Sequence, residues 1–262
     1  MNEETKRVED SFESGYLWEL YMDLERQFEN FLEYVPYIDE NESVHSFKLL
    51  NLITSIGGYV DSAFKEMARY PRFSKNEDCQ EIIRKLAESK ENIEKGLRPN
   101  YPGVKLCLQA FEKEYQLSSR RVVFKKLASR QIITPFEPCN PETNAPFWWD
   151  IYNGLKHNLG VNFQEANLKN TLNALAGAFL LNVTHEPSIL RLFKYGVLKV
   201  EHSVSHGTPL EAISLSETFV PTKDHEKALQ WKLENKKEFK GIVETPLFLC
   251  CYREVDWHEY VW

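Results

Sequence analysis

The chain has 262 residues, 42% of them hydrophobic and 27% charged, with a formal net charge of −7. This is the composition of a soluble globular protein with enough apolar material for one large domain or two small ones. The negative balance excludes a generally basic nucleic-acid binder but leaves room for a local basic groove. Aromatic residues at 13% point to an aromatic-rich core. The five cysteines form no C-x-x-C pair, and their odd number argues for free thiols in a reducing cytoplasm over a disulfide framework. The first ten residues, MNEETKRVED, lack the apolar core of a signal peptide. The longest apolar run, Leu172 to Val183, is too short and interrupted to span a bilayer. A cytoplasmic protein with no membrane association is expected.

In chain order, residues 1–11 read as a flexible arm. Phe12, Tyr16, Leu20, Leu24, Phe28, Phe31 and Val35 step by threes and fours, which predicts a long amphipathic helix ending near Pro36. Residues 1–45 hold 13 Asp and Glu against 3 Lys and Arg. That acidic face is either solvated or in contact with a basic surface elsewhere. Ser46 to Met67 predicts a second helix, apolar on most sides and therefore central. Within it Asp61 and Lys65 lie four apart, and a buried Asp needs a partner. The Gly57-Gly58 pair points to close packing or a kink. Glu77 to Ile93 and Val104 to Tyr115 predict two further helices.

From Ser118 the pattern changes to β-branched pairs, charges and prolines, which predicts a short strand or two, or an extended loop. Residues 105–130 hold 7 Lys and Arg against 2 Glu, with Arg120, Arg121, Lys125, Lys126 and Arg130 clustered. The cluster reads either as a solvated loop or as a phosphate-facing patch. Next comes a helix with Asn144 as N-cap and Pro146 in its first turn, ending near Gly160. Leu168 to Val183 predicts a strongly apolar helix after a short loop. Beyond it the sequence predicts a helical turn over Pro187 to Phe193 and a short strand within Lys194 to Ser203. A polar helix over Asp224 to Phe239 carries Trp231, and an aromatic ending packs back partly as a strand. A single domain, 1–262, is expected, with 195–262 a mixed extension on a helical bundle.

The stretch Asn144 to Val183 carries the one compact polar constellation. Trp148-Trp149-x-x-Tyr152-Asn153-x-x-Lys156-His157, followed by an alanine- and leucine-rich helix, resembles the HEPN superfamily (higher eukaryotes and prokaryotes nucleotide-binding domain) over about 40 residues. The family's motif is an Arg, a polar residue, three further residues and a His. Asn153 and His157 match the polar and His positions, and Tyr152 stands at the Arg position. The resemblance implies a mainly α fold, a HEPN-like helical bundle with minor β additions. It implies a protein acting on or binding RNA, a metal-independent endoribonuclease of a stress, toxin or phage-defence system. It further implies a homodimer with the motif helices adjacent, and many such bundles place an acidic residue of an early helix near the motif, here Asp61.

The residue chemistry is compatible with that reading. Metal-free RNA cleavage needs an acid–base group near the 2′-OH and a group that stabilises phosphate charge. His157 suits the first role. Asn153, one turn away, can donate to a phosphate oxygen or orient the imidazole. Lys156 offers a point charge but no bidentate fork, and Tyr152 can stack a base or donate its hydroxyl. The alternative for His157 is a hydrogen-bonded core histidine among Trp148, Trp149 and Tyr152. Correspondingly, the competing functions are an inactive HEPN-like module that binds a nucleotide or protein partner, favoured by the missing Arg, and a purely structural scaffold. The aromatic density at Trp148 and Trp149 suits a dimer interface. No cofactor is expected, since no glycine-rich phosphate loop is present. No metal site is expected either: His202-x-x-x-His206 lacks an accompanying Glu signature, and Glu201 and His225 complete no set.

Overall fold

The computed structural model describes residues 16–70, 73–126, 131–138, 144–184, 188, 192–193, 195–200 and 241–252. The expected arm over 1–11, Arg130, the histidine pair His202 and His206, and the helix over Asp224 to Phe239 lie outside these residues. Within them the protein is mainly helical, with a small antiparallel sheet. The helices are α1 (Tyr16–Leu32), α2 (Phe47–Ala68), α3 (Glu77–Glu94), α4 (Val104–Tyr115), α5 (Phe147–His157), α6 (Leu159–Asn162) and α7 (Leu168–Thr184). The strands are β1 (Val122–Phe124), β2 (Gln131–Ile133), β3 (Leu198–Val200), β4 (Gly241–Glu244) and β5 (Phe248–Tyr252), in sheet order β2-β1-β5-β4-β3.

Local rules account for most boundaries. The Ser46 side chain accepts from Leu49 N at 3.1 Å and opens α2, and Asn76 accepts from Cys79 N at 3.0 Å and opens α3. α1 unwinds after Leu32, four residues before Pro36, in keeping with the restricted backbone ahead of a proline. Its buried stripe is Leu17, Trp18, Tyr21, Leu24, Glu25, Phe28 and Phe31. The expected stripe is thereby corrected: Tyr16 and Leu20 are exposed and Trp18 and Tyr21 are inside. The larger rings at 18 and 21 continue the 24-28-31 row at helical spacing and win the core.

The central pair is α2 with α7. α7 is buried almost all round, from Leu168 to Thr184, which suits its apolar sequence. Asn182 at its core donates to the Tyr59 hydroxyl of α2 at 2.6 Å, and desolvation by burial pushes the Tyr59 hydroxyl well above its usual range. The sheet covers one side of this pair through Phe248, which stacks on Phe179 with centroids 5.5 Å apart. β1 pairs with β2 through Val123 opposite Ile132 and with β5 through Phe124 opposite Phe248. The stretch after Ser118 thus contains two short strands, Val122–Phe124 and Gln131–Ile133. Cys79, Cys107 and Cys250 are buried. Burial pushes the Cys79 and Cys107 thiols up to about 12. Among the described residues no helix is long and apolar enough to cross a membrane.

Candidate functional site

α5 is docked into the bundle by two aromatic rings set on two glycines. Tyr152 lies on Gly57 of α2, where a Cβ would sit 2.3 Å from the ring. Trp148 lies on Gly177 of α7, where a Cβ would sit 3.0 Å from the indole. Gly57 therefore serves close packing. The Trp148 indole N–H donates to Pro135 O at 2.6 Å, which ties the start of α5 to the segment leaving β2. Trp148 and Trp149 are both buried within the chain, so the expectation that they form an exposed dimer surface is corrected. The glycines that receive α5 come from distant parts of the chain, so its burial has no local sign in the motif.

The start of α5 also differs from expectation. Pro146 is the N-cap residue and makes no side-chain cap bond, while Asn144 sits at φ 55°. Asn tolerates this left-handed backbone, and here it turns the chain instead of capping the helix. The helix ends at His157 and not near Gly160. Asn158 leaves the helical region, and Asn162 of α6 donates to Gly154 O at 3.1 Å and Asn158 O at 2.8 Å. Those bonds satisfy last-turn carbonyls and complete the end of α5. Gly154 leaves the room that the Asn162 side chain occupies, whose nearest atom lies 3.2 Å from where a Cβ would stand.

The polar residues gather at this C-terminal end. Asn153 is half-buried, and Lys156 and His157 are exposed. The core-histidine alternative is thereby removed by burial alone. The Tyr152 ring is buried, edge-on to Trp149 at 5.1 Å, with Lys156 Nζ 5.8 Å from its centroid. Gly57, Trp149 and Lys156 surround it, so it has no face open to a base. Desolvation by burial raises the Tyr152 hydroxyl, with a further upward push from Asp61. Asp61, half-buried and one turn along α2 from Gly57, is ion-paired with Lys65. Lys65 Nζ in turn lies 5.1 Å from the centroid of Tyr101, an exposed ring. Beside the end of α5, Phe47, Leu159 and Val161 are exposed, and Phe47 packs on Phe163 at 4.8 Å.

Of the basic cluster, Lys125, Lys126 and Arg120 bond to residues elsewhere and not at this end. Lys125 Nζ bonds Glu244 Oε1 at 2.5 Å and Thr245 O at 2.9 Å. Lys126 Nζ pairs with Glu29 of α1 at 2.8 Å. Arg120 Nε donates to Tyr115 O at 3.2 Å, and Arg121 is exposed. The Lys126–Glu29 pair joins the acidic first helix to the basic segment. The sheet end meets α5 at Trp148, and His157 lies nine residues further on, about 13 Å along the helix.

A second polar centre had no motif to announce it. Glu25 of α1 is 1% exposed. Its Oε1 accepts from Thr245 Oγ1 at 2.5 Å and from Leu247 N at 3.0 Å, while Oε2 has no hydrogen-bond partner among the described residues. Its position inside the apolar stripe of α1 was the available signal. Among the described residues no group of three or more His, Cys, Asp or Glu could hold a metal ion. Comparison with protein-family models, curated proteins and solved structures gives no match to this chain.

Proposed function

We propose that the chain is a HEPN-like protein that binds RNA and cleaves it without a metal, in the cytoplasm, in a stress, toxin or phage-defence setting. The bundle type and the setting rest on the resemblance of residues 144–183. The observation that carries the reading is the exposure of Lys156 and His157 on the last turn of α5, one turn from Asn153. An exposed imidazole can take the proton of a 2′-OH as that oxygen attacks phosphorus, and a proton can return to the 5′-oxygen as the P–O bond breaks. The Asn153 amide can donate to a phosphate oxygen. Lys156 supplies a point charge where the family has Arg, and the buried Tyr152 ring positions it. Of the basic cluster, Arg121 presents an exposed side chain to a polyanion, whereas Lys125 and Lys126 must first leave Glu244 and Glu29.

A homodimer with the α5 ends adjacent would place two His157 residues across one cleft and cover Phe47, Leu159 and Val161. Light scattering that gives only monomer across micromolar concentrations rules this arrangement out. One observation favours the second reading, an inactive module that binds a nucleotide or protein partner: the motif's Arg position holds Tyr152, sealed against Gly57.

The deciding experiment is cleavage of single-stranded and structured RNA in the presence of a chelator. His157→Ala should lose at least about a hundredfold in rate, the scale of a general acid–base group, with its thermal midpoint within a few degrees of wild type. Wild-type protein that leaves both RNAs intact overturns the nuclease reading and leaves the binding module.

A further inference from the structure

We propose that Glu25 is a protonation-controlled latch: neutral, it holds the β4–β5 turn on α1, and ionised, it loosens that turn from the bundle. On the α1 side the turn is held by one carboxyl oxygen, while β1 holds it separately, Lys125 N donating to Leu247 O at 2.9 Å and Lys125 Nζ to Thr245 O at 2.9 Å. Phe248 N donates to Thr245 Oγ1 at 3.1 Å, Thr245 Oγ1 donates to Glu25 Oε1 at 2.5 Å, and Leu247 N donates to the same oxygen at 3.0 Å. Phe248 is also the ring that stacks on Phe179, so the turn anchors the sheet to α7.

The charges around Glu25 do not compensate its ionised form. From α1 it faces Tyr21 and the like-charged Glu29. From the end of β1 it faces Lys125, but that ammonium is held by Glu244 and Thr245 O. Lys126 is taken up by Glu29. Tyr21 in turn faces the Tyr59 hydroxyl of α2 and packs on the uncharged Phe179 of α7, with centroids 5.9 Å apart. An ionised Glu25 would thus keep a buried charge, with Oε2 making no hydrogen bond in good geometry among the described residues and only the neighbouring Tyr21 hydroxyl as a donor beside it. Desolvation is the largest cause that lifts its carboxyl to about 7 from 4.5, with Glu29 adding to it and the Thr245 and Leu247 bonds and Lys125 opposing.

The sign follows from proton linkage. Between these two values the latched form binds more protons than the open one, so the latch is tightest below about pH 4.5, weakens as pH rises to about 7 and levels off above that. Hydrogen exchange at the Leu247 and Phe248 amides, corrected for intrinsic rates, reads the opening directly. In wild type, protection should fall by several tens of fold between pH 5 and pH 8. In Glu25→Gln it should stay flat, because the amide keeps the accepting oxygen and does not titrate. An equal fall in Glu25→Gln, or no fall in wild type, overturns the latch. Should Glu25→Gln fail to fold, a carbon-13 carboxyl titration of wild-type protein decides: a Glu25 midpoint near 7 supports the latch, and one near 4.5 overturns it.

Discussion

The two sides of α5 are built on opposite principles. One side sets Trp148 and Tyr152 on glycines, so that ring and backbone touch with no Cβ between them. The other ends in Asn153, Lys156 and His157, none of which is fully buried. The first side has no freedom to change and holds the helix in place. The second is free to meet a ligand because the first leaves it nothing to stabilise. A motif read as one string of residues thus divides into a packing half, Trp148-Trp149-x-x-Tyr152, and a solvent half, Asn153-x-x-Lys156-His157.

Substitutions at the two receiving glycines should break the packing half. Gly57→Ala puts a methyl 2.3 Å from the Tyr152 ring, which is itself buried and packed edge-on to Trp149. A loss of about 3 kcal/mol or more in urea unfolding is expected, at the upper end of overpacking effects. Gly177→Ala makes a looser 3.0 Å approach to Trp148, whose indole is pinned to Pro135 O. Here a loss of about 1–2 kcal/mol is expected in the same measurement. Equal losses at the two sites would mean that α5 docks less tightly on α2 than described. On the solvent half, His157→Ala should change stability by under about 0.5 kcal/mol. Lys126→Ala removes a part-exposed pair with Glu29 and should cost under about 1 kcal/mol in urea unfolding, with the loss shrinking in high salt.

Much of the helical layout is legible in the sequence, because the longer helices carry an apolar period or an apolar run and several carry a side-chain cap, such as Ser46 and Asn76, whereas the four-residue α6 carries neither. The short strands Val122–Phe124 and Gln131–Ile133 are legible from their β-branched runs. Three features are not. The buried face of α1 is decided by how Trp18 and Tyr21 fit against Phe179 and its neighbours, and helical spacing alone admits either stripe. The inward Trp pair of α5 depends on Gly57 and Gly177, far away in the chain. The charge state of the basic segment depends on Glu29 and Glu244, nearly a hundred residues or more distant, so counting local charge overstates how many cations are available. At the candidate site, the placement of Asn153 one helical turn from His157 is a matter of local helical spacing and is readable. The sealing of Tyr152 is a tertiary contact and is not.

The bonds from the turn to Glu25 join positions 220 and 222 residues apart. A ribosome adds roughly 5–20 residues each second, so α1 is synthesised on the order of 10 to 40 seconds before the segment that covers its carboxyl exists. β5, the middle strand of the sheet, is made after β1, β2, β3 and β4. During synthesis the helices can assemble around α2 and α7 while Glu25 of α1 and the faces of Phe124 and Phe179 that meet Phe248 still wait for their cover. Birth order therefore makes the nascent chain an incomplete bundle with an apolar flank, a form suited to chaperone capture. A chain cut short before Thr245 would keep that flank for its lifetime.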